Sequence, residues 1–186
     1  MKRLSIIPLL TLAATGLHAQ TNTPPLRSHT DEMLELWNHI GHKIIAMAKD
    51  FPEDKYDFKV QKDERTFAQN ILHVAAVDFD IASRVAGSHL GPDFGKDAHN
   101  PSSDAYKTKA DVVKLLEDAV AAGAATIQKQ GDPGLEKSMP FGWETGRHTI
   151  HASYAWITTI EHSAEHMGQL AVYYRAINLI PPESRR

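Results

Sequence analysis

The helical character of the chain is clearest in the stretch TDEMLELWNHIGHKIIAMAKDF, residues 30–51. Its apolar residues recur at spacings of three and four, which places them on one face of an α-helix. These residues are Met33, Trp37, Ile40, Ile44 and Met47. Phe51-Pro52 ends the pattern, because proline lacks an amide proton and is excluded from helix interiors. The stretch therefore predicts an amphipathic helix with one buried stripe.

The same periodicity recurs three times downstream. Thr66 with Gln69, and Thr108 with Asp111, have the spacing of a capping box at a helix start. No strand-like alternation of useful length is present in the sequence. The predicted helices cover residues 30–50, 66–88, 107–130 and 149–178. Four long helices with two long connecting loops predict an all-α protein, a four-helix bundle.

Glycine and proline mark the predicted helix ends. Gly87 closes the second helix, the run 131–134 (GDPG) stops the third, and Pro181-Pro182 bars continuation of the fourth. Phe141 and Trp143 lie in the long loop before the fourth helix. They either cover the end of the bundle or form part of a substrate lid.

Composition excludes several classes of function. The chain has 186 residues, 42% of them apolar, which fits one domain with a real core. The absence of cysteine excludes disulfides, thiolate metal ligands and cysteine nucleophiles. A formal net charge of -3 provides no basic field for binding nucleic acid. Any chemistry must therefore use histidine, carboxylates, hydroxyls or amides.

The N-terminus has the pattern of a secretory signal peptide. Basic Lys2-Arg3 precedes an uncharged apolar run that ends near the small residue Ala19. The run is too short to span a bilayer comfortably, although an uncleaved anchor is the alternative. We expect an exported protein, periplasmic or secreted, that starts at Gln20 and is not in the membrane after cleavage. The predicted organisation is a signal peptide over 1–19, a flexible leader over 20–29 and one domain over 30–186.

Three histidines are the candidate metal ligands. His162 and His166 stand four apart on the fourth predicted helix, so that both rings project from one face. His73 lies in the apolar second helix, where a buried imidazole needs polar partners. The three residues either form one metal site in the bundle core or are a core histidine and two surface histidines.

The chain from about residue 30 to its end resembles the DinB-like family of bacterial four-helix proteins. The likeness lies in the run FAQNILH, residues 67–73, in His162-x-x-x-His166-x-Gly-Gln-Leu, and in the closing segment from Tyr173. In that family, histidines at these positions bind a divalent metal, often zinc or nickel, and the resemblance implies this role for His73, His162 and His166. Met167 departs from the pattern, since many members carry arginine after the last histidine.

Other metal chemistries fit the sequence less well. Di-iron bundles need a glutamate three residues before a histidine, and positions 159 and 163 are threonine and serine. The run from His162 to His166 also matches a peptidase pattern in which Glu165 is the general base. A one-residue offset, however, turns Glu165 about 100° away from His166 on a helix.

The remaining histidines and one glutamine are weaker candidates. His39 and His42 on the first helix, and His148 near the start of the fourth, are interpreted as surface residues. His151 falls on nearly the same helical face as His162 and is a candidate for lining a vestibule. Gln169 follows His166 by three residues and can donate to a metal-bound water or a substrate.

Three neutral nitrogens leave a coordination position open, which is typical of catalytic metal sites. A divalent metal, zinc or nickel, could activate water or a thiol there. The sequence leaves open a metal-dependent hydrolase or transferase acting on a small molecule, and a non-enzymatic metal- or small-molecule-binding module. The resemblance also implies thiol-dependent transfer, which export disfavours because cytosolic thiols are scarce outside the cell. A homodimer is compatible with the sequence.

Overall fold

The computed structural model describes residues 24–142 and 148–185 and contains four long helices. The helices are α1 (His29–Asp50), α2 (Phe67–Ala86), α3 (Lys109–Leu135) and α4 (Ala152–Ala176). Each of α1 and α2 packs against both α3 and α4, so α2 faces α4 directly. The predicted four-helix bundle is confirmed, and the facing pair α2 and α4 carries the three candidate ligands.

Local side-chain caps fix where the helices begin. Thr66 and Gln69 form a reciprocal capping box at α2, and Thr108 and Asp111 do so at α3. Both predicted capping boxes are therefore confirmed. Gly87 ends α2 in the left-handed conformation, with φ 68°, which glycine adopts without steric cost.

The predicted stop of the third helix at Gly131 is wrong. Helical structure continues to Leu135, across a kink at which Gly131 has φ 61° and ψ 176°. Glycine tolerates this conformation, and Pro133 is accepted because it falls in the first turn after the kink, where its missing N–H is not needed. Asp132 then accepts hydrogen bonds from the backbone N–H and the hydroxyl of Thr30, at 2.8 and 2.5 Å. The kinked segment thereby holds the N-terminal turn of α1.

The predicted start of the fourth helix at Thr149 is also wrong. Residues 148–151 form strand β2 (His148–His151), which pairs antiparallel with β1 (Ser138–Phe141). The helix begins only at Ala152, with His151 at its N-cap position. Strands of four residues are too short for period-two alternation to be recognised, which is why the sequence pattern does not predict this hairpin.

The described residues include none of the predicted signal peptide and only part of the predicted leader. The predicted signal peptide and its cleavage point before Gln20 lie outside the described residues, as do Trp143 and the rest of 143–147. Residues 24–28 of the predicted leader have no regular structure, and α1 begins at His29. None of the described helices combines the length and apolar character that a bilayer crossing requires.

Two buried tryptophans occupy the centre of the bundle, one of them from the apolar stripe predicted on the first helix. Trp37 and Trp156 meet edge to face with ring centroids 5.2 Å apart. Their indole N–H groups donate to the carbonyl oxygen of Val120 and to Gln130 Oε1, at 2.8 and 2.9 Å. Trp37 fits because α3 carries Gly123 at the contact, where a Cβ atom would lie only 2.1 Å from the Trp37 ring.

Replacing Gly123 with alanine is expected to destabilise the protein by about 1–3 kcal/mol, because the methyl group would overlap a buried ring. Gly168, in the exposed part of α4, is the matched control, since nothing lies within 4 Å of the place that a Cβ atom would take there. Gly168→Ala is expected to stabilise the protein by roughly 0.5–1 kcal/mol through helix propensity. Urea unfolding of both variants measures the two effects. Equal changes in stability would contradict the close helix approach at Gly123.

Candidate metal centre

The structure brings together the three histidines that the sequence singled out. His162 and His166 project from one face of α4 toward α2, where His73 meets them. The ring centroids lie 4.6 Å apart for the α4 pair, and 5.0 and 4.8 Å from His73. One nitrogen from each ring lies within 4.8 Å of the other two, and the Nε2 atoms of His73 and His162 are 3.0 Å apart.

A backbone carbonyl orients the His73 ring. Its Nδ1 donates to the carbonyl oxygen of His99 at 2.6 Å, in the long loop between α2 and α3. A carbonyl oxygen can only accept, so the proton of the neutral ring is on Nδ1. The Nε2 lone pair of His73 therefore faces the other two histidines, which is the usual arrangement of a histidine that binds a metal.

A side-chain network orients His166 in the same way. Its Nδ1 lies 3.1 Å from Asn70 Oδ1. The Asn70 amide donates to Tyr173 Oη and to the carbonyl oxygen of Thr66, at 3.1 and 3.3 Å, which leaves Oδ1 as the acceptor facing the ring. Tyr173 in turn donates to the carbonyl oxygen of Arg65. This network places the His166 proton on Nδ1 and leaves Nε2 free to bind.

All three rings are neutral at physiological pH. Burial first, and then mutual repulsion among the rings, lowers the pKa of His162 to about 4 and that of His166 to about 3, because two protonated imidazoles cannot share so small a space. Burial also lowers the pKa of His73. Neutral imidazole is the ligand form, so the donor set fits a divalent cation held by three nitrogens with at least one position open.

Two clefts lie near the histidines, one lined by His162 itself and the other by Asn70, the hydrogen-bond partner of His166. A cavity of about 590 Å³ is lined by Asn70 and by Gln169, which follows His166 by three residues on α4. A second cleft of about 270 Å³ includes His162 itself together with Phe141 and Glu165. Gln169 therefore lies in a cavity close to His166, and its predicted role as a donor to a bound water or substrate stays a prediction. Glu165 is exposed and contributes a carboxylate to the second cleft.

Four other histidines that the sequence offered as candidates stay apart from this group. His39, His42, His148 and His151 are all exposed. His151 caps α4 and pairs with Ser138 in the hairpin, and in the described part of the chain it lines neither of the two clefts beside the three histidines. Phe141 packs partly against the core and forms one wall of the His162 cleft, so the hairpin covers this end of the bundle.

Sequence reasoning missed the residues that orient the rings. Asn70 precedes His73 by three residues, and Tyr173 follows His166 by seven, so both share a helical face with a ligand. That spacing is the signal from which these two could have been predicted. The His99 carbonyl carries no such signal, because any residue provides a backbone oxygen.

Comparisons with known proteins agree with this architecture. The sequence model of the DinB superfamily matches residues 36–170. No curated protein matches the chain. A DinB-like protein from Bacillus cereus ATCC 10987 superposes with a TM-score of 0.67 at 18% identity, over 82% of this chain and 95% of that one.

A second solved structure has the same fold. It is YfiT from Bacillus subtilis, called a probable metal-dependent hydrolase with an unusual four-helix bundle topology. Its TM-score is 0.59 at 14% identity, over 84% of this chain and 94% of that one. At these identities the two structures establish a shared fold, and the match over residues 36–170 establishes the family. The chain belongs to the DinB superfamily.

Proposed function

We propose that this protein is an exported metal-dependent hydrolase that acts on a small molecule. The observation that carries the proposal is the convergence of three neutral imidazoles beside an open cavity. His73, His162 and His166 would hold the metal, with zinc or nickel the expected ion. The description of YfiT as a probable metal-dependent hydrolase supports the same reaction class.

A divalent cation held by three nitrogens supplies Lewis acidity to a substrate oxygen and lowers the pKa of a coordinated water. The chain's own residues set the conditions for such chemistry. Asn70 and the His99 carbonyl fix the ring orientations, and the buried rings stay neutral. Gln169 lies beside His166 in the cavity, where its amide can position a polar group of the substrate.

Two alternatives differ from this proposal in measurable ways. A non-enzymatic metal- or small-molecule-binding module would bind the ion and turn over no substrate. A thiol-dependent transferase would require an added thiol. Export disfavours the transferase, because an exported protein is removed from the cytosolic thiol pool. The proposal of export rests on the basic start, the apolar run and Ala19 within the first 19 residues.

One preparation tests both export and function. Protein isolated from the periplasm or the culture medium is expected to begin at Gln20, and elemental analysis should find close to one zinc or nickel ion per chain. Hydrolysis of a panel of ester, amide and phosphoester substrates should disappear with a chelator and return with the metal. Full-length cytosolic protein would contradict export. Metal without turnover would favour the binding module, and turnover only with added thiol would favour the transferase.

A further inference from the structure

The 590 Å³ cavity beside the histidines contains a guanidinium group, that of Arg65. Arg65 lines the cavity together with Asn70, Gln169 and Tyr173. It is half-buried, and in the part of the chain that the structure describes it forms no ion pair. The carboxylates of Asp63 and Glu64 line the same cavity but are exposed to water.

Among the described residues, hydrogen bonds hold the Arg65 guanidinium along one edge. Its Nε and Nη2 atoms both donate to Asn100 Oδ1, at 3.3 and 2.8 Å. Its backbone carbonyl accepts from Tyr173, so the residue is also fixed at its main chain. These bonds use two of the five guanidinium protons and leave the Nη1 and Nη2 edge, which is an edge that binds a carboxylate with two parallel hydrogen bonds.

The guanidinium also lies close to the three histidines. Burial is the main reason that their pKa values are low, and the positive charge of Arg65 lowers the pKa of all three further. A fixed cation next to neutral ligands raises the local potential of the cavity, and a bound divalent ion would raise it more. An anion that enters the space beside Asn70 and Gln169 can therefore reach the positive charge of Arg65.

We propose that Arg65 binds a carboxylate of the substrate in this cavity, and that the substrate is a small carboxylic acid anion. The planar Nη1 and Nη2 edge of a guanidinium matches the two oxygens of a singly charged carboxylate, which it can bind with two parallel hydrogen bonds. This assignment rests on the proposed function, because it names the class of substrate for the same site. Arg65 would then determine specificity by orienting the reacting part of the molecule toward the histidines.

Propionate and its uncharged analogue propionamide test the proposal on metal-free protein in a chelator, with NMR chemical shifts of the cavity residues as the readout. Propionate is expected to bind wild type, propionamide is not, and Arg65→Gln should weaken propionate binding at least about tenfold through loss of a charge-assisted hydrogen bond. Arg65→Lys should restore binding only in part, because lysine has no fork. Arg175→Gln, at an exposed site on α4, is the matched control and should bind propionate as wild type does.

Zinc affinity gives a second readout that does not depend on activity. Arg65→Gln should bind zinc several-fold more tightly than wild type, because a like charge beside the ion is removed. Propionate binding that is undetectable in wild type, or equal in wild type and Arg65→Gln, would overturn the proposal, as would an unchanged zinc affinity in that variant. If hydrolysis is absent but propionate binding depends on Arg65, the proposed function fails alone. If zinc-dependent hydrolysis is found but propionate binds equally to wild type and Arg65→Gln, only the proposed carboxylate site is refuted.

Discussion

Replacing His166 with alanine is expected to weaken zinc binding by more than about 100-fold. Residues that only orient a metal ligand typically contribute about 10–100-fold to metal affinity, so the loss of a ligand itself should exceed that range. His73→Ala and His162→Ala should have effects of the same order, because each ring contributes one nitrogen to the group. Competition with a chromophoric chelator near neutral pH measures the dissociation constants.

A graded set of variants separates ligands from their surroundings. Asn70→Ala removes the acceptor that faces His166 Nδ1 and should weaken zinc binding by about 10–100-fold. His39→Ala and His42→Ala alter exposed histidines on α1 and should leave zinc affinity at the wild-type value. Circular dichroism shows whether each variant is folded, and His166→Gln offers a polar replacement if alanine disturbs the core. If His73→Ala binds zinc as wild type does, the site has only two ligands.

The metal-free protein is expected to lose stability as the pH falls below about 6.5, the pKa of an unperturbed histidine. His166 is only 5% exposed, and burial lowers its pKa from 6.5 to about 3. Above about pH 6.5 the ring is neutral in both the folded and the unfolded chain, so it contributes no pH dependence. Between about pH 6.5 and about pH 3 the unfolded chain binds a proton that the folded protein does not, which lowers the free energy of unfolding by about 1.4 kcal/mol per pH unit. At about pH 4.5 the loss from His166 is about 2–3 kcal/mol.

Urea unfolding in the presence of a chelator, at about pH 7.5 and at about pH 4.5, measures this loss of stability. Between these two pH values the free energy of unfolding of His166→Gln should fall by about 2–3 kcal/mol less than that of wild type. His42→Gln, at an exposed site on α1, should behave as wild type. Asp78 acts in the opposite direction, because burial raises its pKa and a raised carboxyl pKa favours the folded state on acidification. The difference between variants cancels this contribution. An identical pH dependence in wild type and His166→Gln would show that His166 is accessible to protons in the folded protein.

The helices and the histidine pair on α4 were predictable because both depend on short sequence spacings. Apolar residues three and four apart define the buried stripes, and Thr66 and Thr108 define the starts of α2 and α3. His162 and His166 share a face for the same reason. The contact of this pair with His73 depends on how α2 packs against α4, which periodicity does not predict. The family resemblance was what indicated that His73 belongs to the same group.

The errors all arose where the backbone departs from regular geometry. Gly131 kinks α3 instead of ending it, and the hairpin delays the start of α4 to Ala152. Arg65 was not singled out because its role depends on the cavity that it lines, in the loop that leads into α2. Loop conformation is set by contacts distant in sequence, so spacing alone does not predict it.

The bond from His73 to the His99 carbonyl has a consequence for how this protein could diverge or be redesigned. A main-chain oxygen is supplied by every amino acid, so position 99 can accept almost any substitution without loss of the acceptor. An insertion or deletion between Gly87 and Thr108 would instead move the oxygen away from a ring that it now meets at 2.6 Å. Position 99 should therefore tolerate variation in composition, whereas the connection as a whole should be restricted in length, and libraries that diversify this position are best built at constant length.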